Sequence, residues 1–177
     1  VRDKNKINKI IKKFNINTFF IPCDLSVKKD KLNLIYSIKK KFKKIDIIVN
    51  NAALTGDQLK KNKKISGNKY GNLIKEIDVN LLSIIEITEG LKKNILNSKE
   101  PSIINLSSIY GFTAPKFQIY KNTKLSNPVG YSVSKGGVIQ LTRWMAAYLS
   151  PRVRVNCVSP GGIKRKQPNK FINSYKN

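Results

Sequence analysis

Ser102-Ile103-Ile104-Asn105-Leu106-Ser107-Ser108 carries the reading of the fold. A short apolar run closed by small hydroxyl residues has the pattern of a buried strand that ends at a polar crevice. The pattern recurs on both sides. Upstream, Ile45-Asp46-Ile47-Ile48-Val49 is a β-branched run that stops at Asn50-Asn51-Ala52-Ala53, and Thr18-Phe19-Phe20-Ile21-Pro22-Cys23 reads as a strand that stops at Asp24. Downstream, Arg152-Val153-Arg154-Val155-Asn156-Cys157-Val158 closes on Ser159-Pro160-Gly161-Gly162.

Helical spacing fills the intervals. Residues 5–14 set Ile7, Ile10, Ile11 and Phe14 on one stripe, and residues 27–42 do the same with Leu32, Ile35, Ile38 and Phe42. A long helix is predicted over about 72–97, with the face Leu73, Ile77, Leu81, Ile84, Ile85 and Leu91, and another over about 130–149. Residues 55–71 and 111–130 read as exposed loops. The order α-β-α-β-α-β-α-β predicts an α/β domain over residues 1–177, built on a doubly wound, mostly parallel sheet with helices on both faces. Ligands of such sheets bind beyond the carboxyl ends of the strands, where the polar clusters fall.

Composition bounds the chemistry. A chain of 177 residues, 40% of them hydrophobic, can bury one core. The formal net charge of +25 invites a nucleic-acid reading. Against it, the lysines are dispersed, Lys, Asn and Ile are abundant throughout, and neither interleaved aromatics nor zinc-finger spacing occurs. No specific nucleic acid and no membrane span are expected, and a cytoplasmic location is. Cys23 and Cys157 stand far apart in apolar runs, as small buried hydrophobes do in a reducing compartment. The chain has no His, which excludes Ser-His-Asp hydrolysis and His-ligated metal; no metal is expected. Any proton transfer falls to Tyr, Lys, Asp, Glu or Cys.

Tyr131 and Lys135 lie four apart, on one helix face. An ammonium beside a phenol favours the phenolate and makes a usable acid/base. Chance alone produces this pair in many helices. Ser108, at a strand end, could donate to a carbonyl oxygen, although a serine there is usually a turn or cap residue. Asn80 interrupts a helical pattern, where Asn is unfavourable; it could perturb the helix locally and free a backbone carbonyl to hold water, or be an ordinary solvated residue.

Taken together, these segments resemble the short-chain dehydrogenase/reductase superfamily. Asn50-Asn51-Ala52-Ala53 is similar to its Asn-Asn-Ala-Gly motif, and Asp78-Val79-Asn80-Leu81 to the helix bearing its catalytic Asn. Ile104–Gly111 resembles the strand with the catalytic Ser, Tyr131–Gly137 the Tyr-x-x-x-Lys helix, and Arg154–Gly161 the strand ending in Pro-Gly. The resemblance implies a Rossmann-like fold and reversible hydride transfer between NAD or NADP and a carbonyl/alcohol substrate. Tyr131 would be the acid/base, Lys135 the ribose-binding cation, Ser108 the group that polarises the carbonyl, and Asn80 the support of a proton relay. Asp24, Leu25, Asn51, Ala52, Ala53, Tyr131, Lys135, Pro160, Gly161 and Ile163 would contact the cofactor. It also implies a homodimer or homotetramer through the helices at about 72–97 and 130–149, where Leu141, Trp144, Met145 and Tyr148 offer either apolar surface or core.

The sequence departs from the family in three ways. The Gly-rich turn that holds the pyrophosphate is not found, and Val1 is not an initiator Met, so a piece lacking the first βα unit is expected, incomplete also after Asn177. Ala53 stands for the motif Gly. The stretch 113–128 lengthens the Ser108-to-Tyr131 spacing, resembles inserts of bacterial surface-glycan and flagellin-modification members, and suggests a polar, sugar-like substrate. The competing readings are a catalytically inactive member and a basic nucleic-acid binder.

Overall fold

The computed structural model describes residues 17–55, 69–123, 125–164 and 167–176. Strand β2 (Ser102–Leu106) is the middle of a three-stranded sheet, with β1 (Ile47–Asn50) on one side and β3 (Arg154–Val158) on the other. Both pairings are parallel; Asn50 lies opposite Asn105, and Asn105 opposite Cys157. The carboxyl ends of all three strands are therefore level, and one crevice can be lined from all of them.

Helix α1 (Lys28–Lys41) precedes β1. Helix α2 (Lys69–Ile77), a π-helical turn (Asp78–Leu82) and α3 (Ser83–Leu96) form one continuous helical connection towards β2, and α4 (Val129–Leu149) joins β2 to β3. Asp30 in the first turn of α1 and Lys39, Lys40 and Lys41 in its last complement the helix dipole. Two 3-10 turns, Ile109–Gly111 and Phe117–Tyr120, break the stretch expected to be loop, and α5 (Asn169–Lys176) follows β3. Helix α5 was not expected from the sequence, although Phe171, Ile172 and Tyr175 carry its signal.

The core lies on one face of the sheet. Ile84, Leu91 and Ile95 of α3 and Val138, Met145 and Leu149 of α4 pack with Ile103 and Val155, and Ile35 and Ile38 of α1 pack against this cluster. The alternate residues of the strands point the other way. Ile47, Val49 and Val158 are 63%, 55% and 48% exposed. The helix layer expected on that second face is not found among the described residues. The expected helix at 5–14 and nearly all of the loop at 55–71 lie outside them.

Residues 17–24 form neither helix nor ladder, against the strand expected at 18–23. Pro22 removes a ladder donor from its middle, and Phe19 packs edge-on against Phe42 at 6.0 Å. On α1 the inward position next to Leu32 is taken by Lys31, 3% exposed, while Leu32 is 57% exposed. The reason is electrostatic: Lys31 Nζ lies 3.1 Å from Asp78 Oδ1 and 2.9 Å from Glu86 Oε2. Burial works against its charge, but the hydrogen bonds it donates to Glu86 and Asp78 prevail and raise its pKa. Lys31 thus ties α1 to the start of the π turn. Lys31→Met should cost about 1–3 kcal/mol, because both carboxylates left behind reach solvent in part; thermal denaturation measures it.

Glu76, at the α2–α4 contact, is 1% exposed. Its Oε1 has no hydrogen-bond partner, and a Cβ at Gly130 would collide with its Oε2. Burial lifts this carboxyl from 4.5 to about 7. The folded state therefore holds a proton that the unfolded chain has released, so stability is greatest below about 4.5 and falls as pH rises towards 7. Glu76→Gln should abolish this fall and stabilise the chain by on the order of 3 kcal/mol at pH 8 relative to pH 4.5. Denaturant titrations at the two pH values check it; parallel curves for both proteins would show Glu76 ionised in the fold.

Candidate active site

The strand ends open into one cleft with two lobes. The larger, about 570 Å³, is lined by Asn51, Ala53 and Thr55 after β1, by Ser107 and Ser108 after β2, by Tyr131 and Lys135 of α4, and by Pro160, Gly161 and Ile163 after β3. The smaller, about 350 Å³, shares Ser108, Tyr131, Gly161 and Ile163 and continues under α5. Of the residues singled out from the sequence, Asn51, Ala53, Ser108, Tyr131, Lys135, Pro160, Gly161 and Ile163 converge here. Asp24, Leu25 and Ala52 line neither lobe. Asp24 sits in a turn, its Oδ1 accepting from the Ser26 amide at 3.0 Å and the Ser26 hydroxyl at 2.8 Å.

Asn80 does not line the cleft either; it frames it. The π turn places it at 1% exposure, with the Ser83 N–H bonded five residues back to Asp78. Its Oδ1 accepts from the Leu54 N–H at 2.6 Å, and its Nδ2 donates to the Leu54 carbonyl at 3.1 Å and to Ser134 Oγ at 3.0 Å. Ser134 Oγ in turn donates to the Tyr131 carbonyl at 2.9 Å. One side chain thus fixes the chain leaving β1 against the first turn of α4. Neither Ser134 nor Leu54 was singled out from the sequence. Ser134, three residues after Tyr131 and one before Lys135, was legible as an inward polar position; a backbone partner such as Leu54 has no side-chain signal.

Lys135 is 3% exposed, and its Nζ donates to the Leu106 carbonyl at 2.5 Å. Burial lowers its pKa. The ammonium is 5.8 Å from the centroid of the Tyr131 ring. Ser107 Oγ donates to the Lys135 carbonyl at 2.7 Å, which locks α4 to the end of β2. Ser108 is the cap of the 3-10 turn: its Oγ accepts from the Tyr110 N–H at 3.3 Å. The bond uses a lone pair and leaves the hydroxyl proton for another acceptor, so the cap and the donor readings of Ser108 are compatible.

Beneath the cleft Asn105 is 0% exposed and bridges the sheet to α4. It accepts from Asn50 Nδ2 at 2.8 Å and donates to Thr142 Oγ1 at 3.0 Å. Among the described residues no group of three or more His, Cys, Asp or Glu could hold a metal ion, and no helix is long and apolar enough to cross a membrane.

The larger lobe suits one end of a dinucleotide. It offers small residues at Ala53 and Gly161, a buried lysine at Lys135, and the phenol of Tyr131 and hydroxyl of Ser108 in one lining. A Cβ at Gly161 would meet nothing nearer than 3.9 Å, so the floor there is open.

The family model for short chain dehydrogenases matches residues 1–175. The chain is 34% identical over 137 residues to the post-translational flagellin modification protein A of Campylobacter coli, covering 77% of this chain and 53% of that one. It is 32% identical to the 3-oxoacyl-acyl-carrier-protein reductase of Thermotoga maritima, covering 78% and 50%. A short chain dehydrogenase of Leptospira borgpetersenii, solved with bound NAD+, superposes with a TM-score of 0.74 at 27% identity, covering 92% of this chain and 61% of that one. The chain spans about half the length of the curated relatives it matches. By family-model match, identity and superposition alike, the chain belongs to the short chain dehydrogenase family.

Proposed function

We propose that the protein transfers a hydride between NAD or NADP and a small-molecule carbonyl/alcohol substrate, with Tyr131 as its acid/base. The observation that carries this reading is the meeting of Ser108 and Tyr131 at the junction of the two lobes, with Lys135 lining the larger lobe beside them. The nicotinamide, when bound, supplies or accepts the hydride; everything else falls to the chain. In the reducing direction a C–H bond forms at the carbonyl carbon, the C=O π electrons move to oxygen, and the Tyr131 hydroxyl gives that oxygen its proton. The Ser108 hydroxyl donates to the same oxygen and stabilises its developing charge. Lys135, its Nζ 5.8 Å from the Tyr131 ring centroid, stands beside the phenol, where it would hold the nicotinamide ribose. Asn80 holds the Leu54 and Ser134 ends of the site in register.

The cofactor-binding set we propose is Asn51, Ala53, Lys135, Pro160, Gly161 and Ile163, with Tyr131 at its edge; Asp24, Leu25 and Ala52 complete it only at the adenosine end. A sugar-like substrate is supported by the flagellin-modification relative and by the 113–128 stretch; the lining of the smaller lobe bears on it below.

The partner we propose is a second copy of the chain, seated on the outer faces of α3 and α4. Trp144 and Tyr148 stack there at 4.7 Å while 55% and 53% exposed, and Ile85 of α3 is exposed as well. Met145, by contrast, is core. Trp144→Glu should convert a dimer or tetramer to smaller species in light scattering; an unchanged mass would place the interface elsewhere.

Tyr131→Phe should lower kcat by about 10²–10⁴-fold and Ser108→Ala by about 10²–10³-fold. Both should leave NADH and NADPH binding, read by nucleotide fluorescence, nearly unchanged. Failure of both nucleotides to bind, or full activity of Tyr131→Phe, would overturn the assignment.

A further inference from the structure

Hydride transfer explains the larger lobe and leaves the smaller one unexplained. Its wall is aromatic, and it is assembled from two segments that the chemistry does not need. Tyr120 comes from the 3-10 turn within the 113–128 stretch, and Phe171 and Tyr175 come from α5. Their rings form a ladder: Tyr120 to Phe171 at 5.5 Å, Phe171 to Tyr175 at 5.8 Å.

The polar ends of these rings are already engaged. Tyr120 Oη donates to Tyr110 Oη at 3.0 Å, and Tyr175 Oη accepts from the Gly162 N–H at 2.8 Å. Gly162 is required for that contact, because a Cβ there would lie 2.6 Å from the Tyr175 ring. The wall therefore offers ring carbons and few free hydrogen-bonding groups. Among the described residues the lining contains no carboxylate and no arginine, and Lys164 is its one full charge. A polyhydroxylated body lodged here would leave most of its hydroxyls unpaired, whereas a flat apolar ring would replace water against aromatic faces.

Resting on the hydride-transfer reading above, we infer that the smaller lobe seats the body of the substrate, that this body is a flat, uncharged aromatic or cyclic apolar group carrying the reactive carbonyl at the Ser108–Tyr131 end, and that Tyr120 and Phe171 set this specificity. The 113–128 stretch then acts by delivering Tyr120 to the wall. The sugar-like alternative becomes the competing outcome.

The test uses the full chain and two readouts. In the first, saturation-transfer NMR follows 1-phenylethanol and, separately, sorbitol, without need of turnover. In the second, acetophenone and fructose are compared as substrates with NADH and NADPH. Aryl binding in preference to polyol, weakened about tenfold by Phe171→Ala and by Tyr120→Ala but little by Tyr120→Phe, is expected. Phe171→Leu, which keeps the volume without the ring, guards against a folding defect and should lie between. Preference for the polyol, or aryl binding untouched by both alanine variants, would overturn the inference. Aryl binding with the expected variant pattern but no nucleotide binding supports the lobe's specificity and counts instead against the hydride-transfer reading. Nucleotide binding and fructose turnover without aryl binding does the reverse.

Discussion

The Asn80 carboxamide is the interaction on which the site depends. A primary amide offers two donors and an acceptor, and burying it is costly unless they are met. Here the Leu54 N–H, the Leu54 carbonyl and Ser134 Oγ meet them. A regular helix would not offer Asn80 in this position; the π turn does, at the expense of weaker local hydrogen-bond geometry. That expense is offset from the far side, where buried Lys31 holds Asp78 at the first residue of the turn. The path from α1 through the π turn to α4 is a chain of charge-assisted and amide hydrogen bonds, and it ends at the carbonyl of Tyr131.

The same economy governs the floor of the cleft. Level strand ends follow from parallel pairing in register, but level ends alone would leave polar groups facing an apolar helix. Asn105 resolves this by spanning Asn50 and Thr142. Lys135 resolves it at the next layer by hydrogen bonding the Leu106 carbonyl. A buried ammonium with a carbonyl and no carboxylate keeps a lowered pKa and an unneutralised charge.

Much of this was legible in the residues, for reasons that differ by feature. The middle strand was read to its exact bounds because Ser102–Leu106 has both an apolar run and a polar stop. Spacing put Tyr131 and Lys135 on one helix face, but only the resemblance to the family joined Ser108 to them, because periodicity carries no information about which strand end a helix face meets. What failed needed neighbours. A strand exists only with a partner, so Thr18–Cys23 could not be judged from its own β-branched and aromatic content. Periodicity assigned Leu32 to the interior and Lys31 to solvent, since it carries no information about Asp78 and Glu86. Glu76 looked like one more charged helix residue; only Gly130 opposite it makes room for a buried carboxyl. Helix α5 was short and mostly polar, and its aromatic face has meaning only against Tyr120.

The two lobes answer to different parts of the chain, and this separation has a consequence. The larger lobe is built from strand ends, whose positions are fixed by the sheet ladder and by the Asn80 and Asn105 networks. The aromatic wall of the smaller lobe comes from a 3-10 turn and α5, which touch each other through rings. Changes at Phe171 or Tyr175 alter that wall, whereas a change at Tyr120 also reaches Ser108 through Tyr110, whose Oη meets Tyr120 and whose N–H meets Ser108 Oγ. Changes at Asn80 or Asn105 act instead on the hydrogen bonds that hold the chain after β1, β2 and α4 together. The two lobes thus rest on different contacts and share the Ser108 hydroxyl and the Tyr131 phenol.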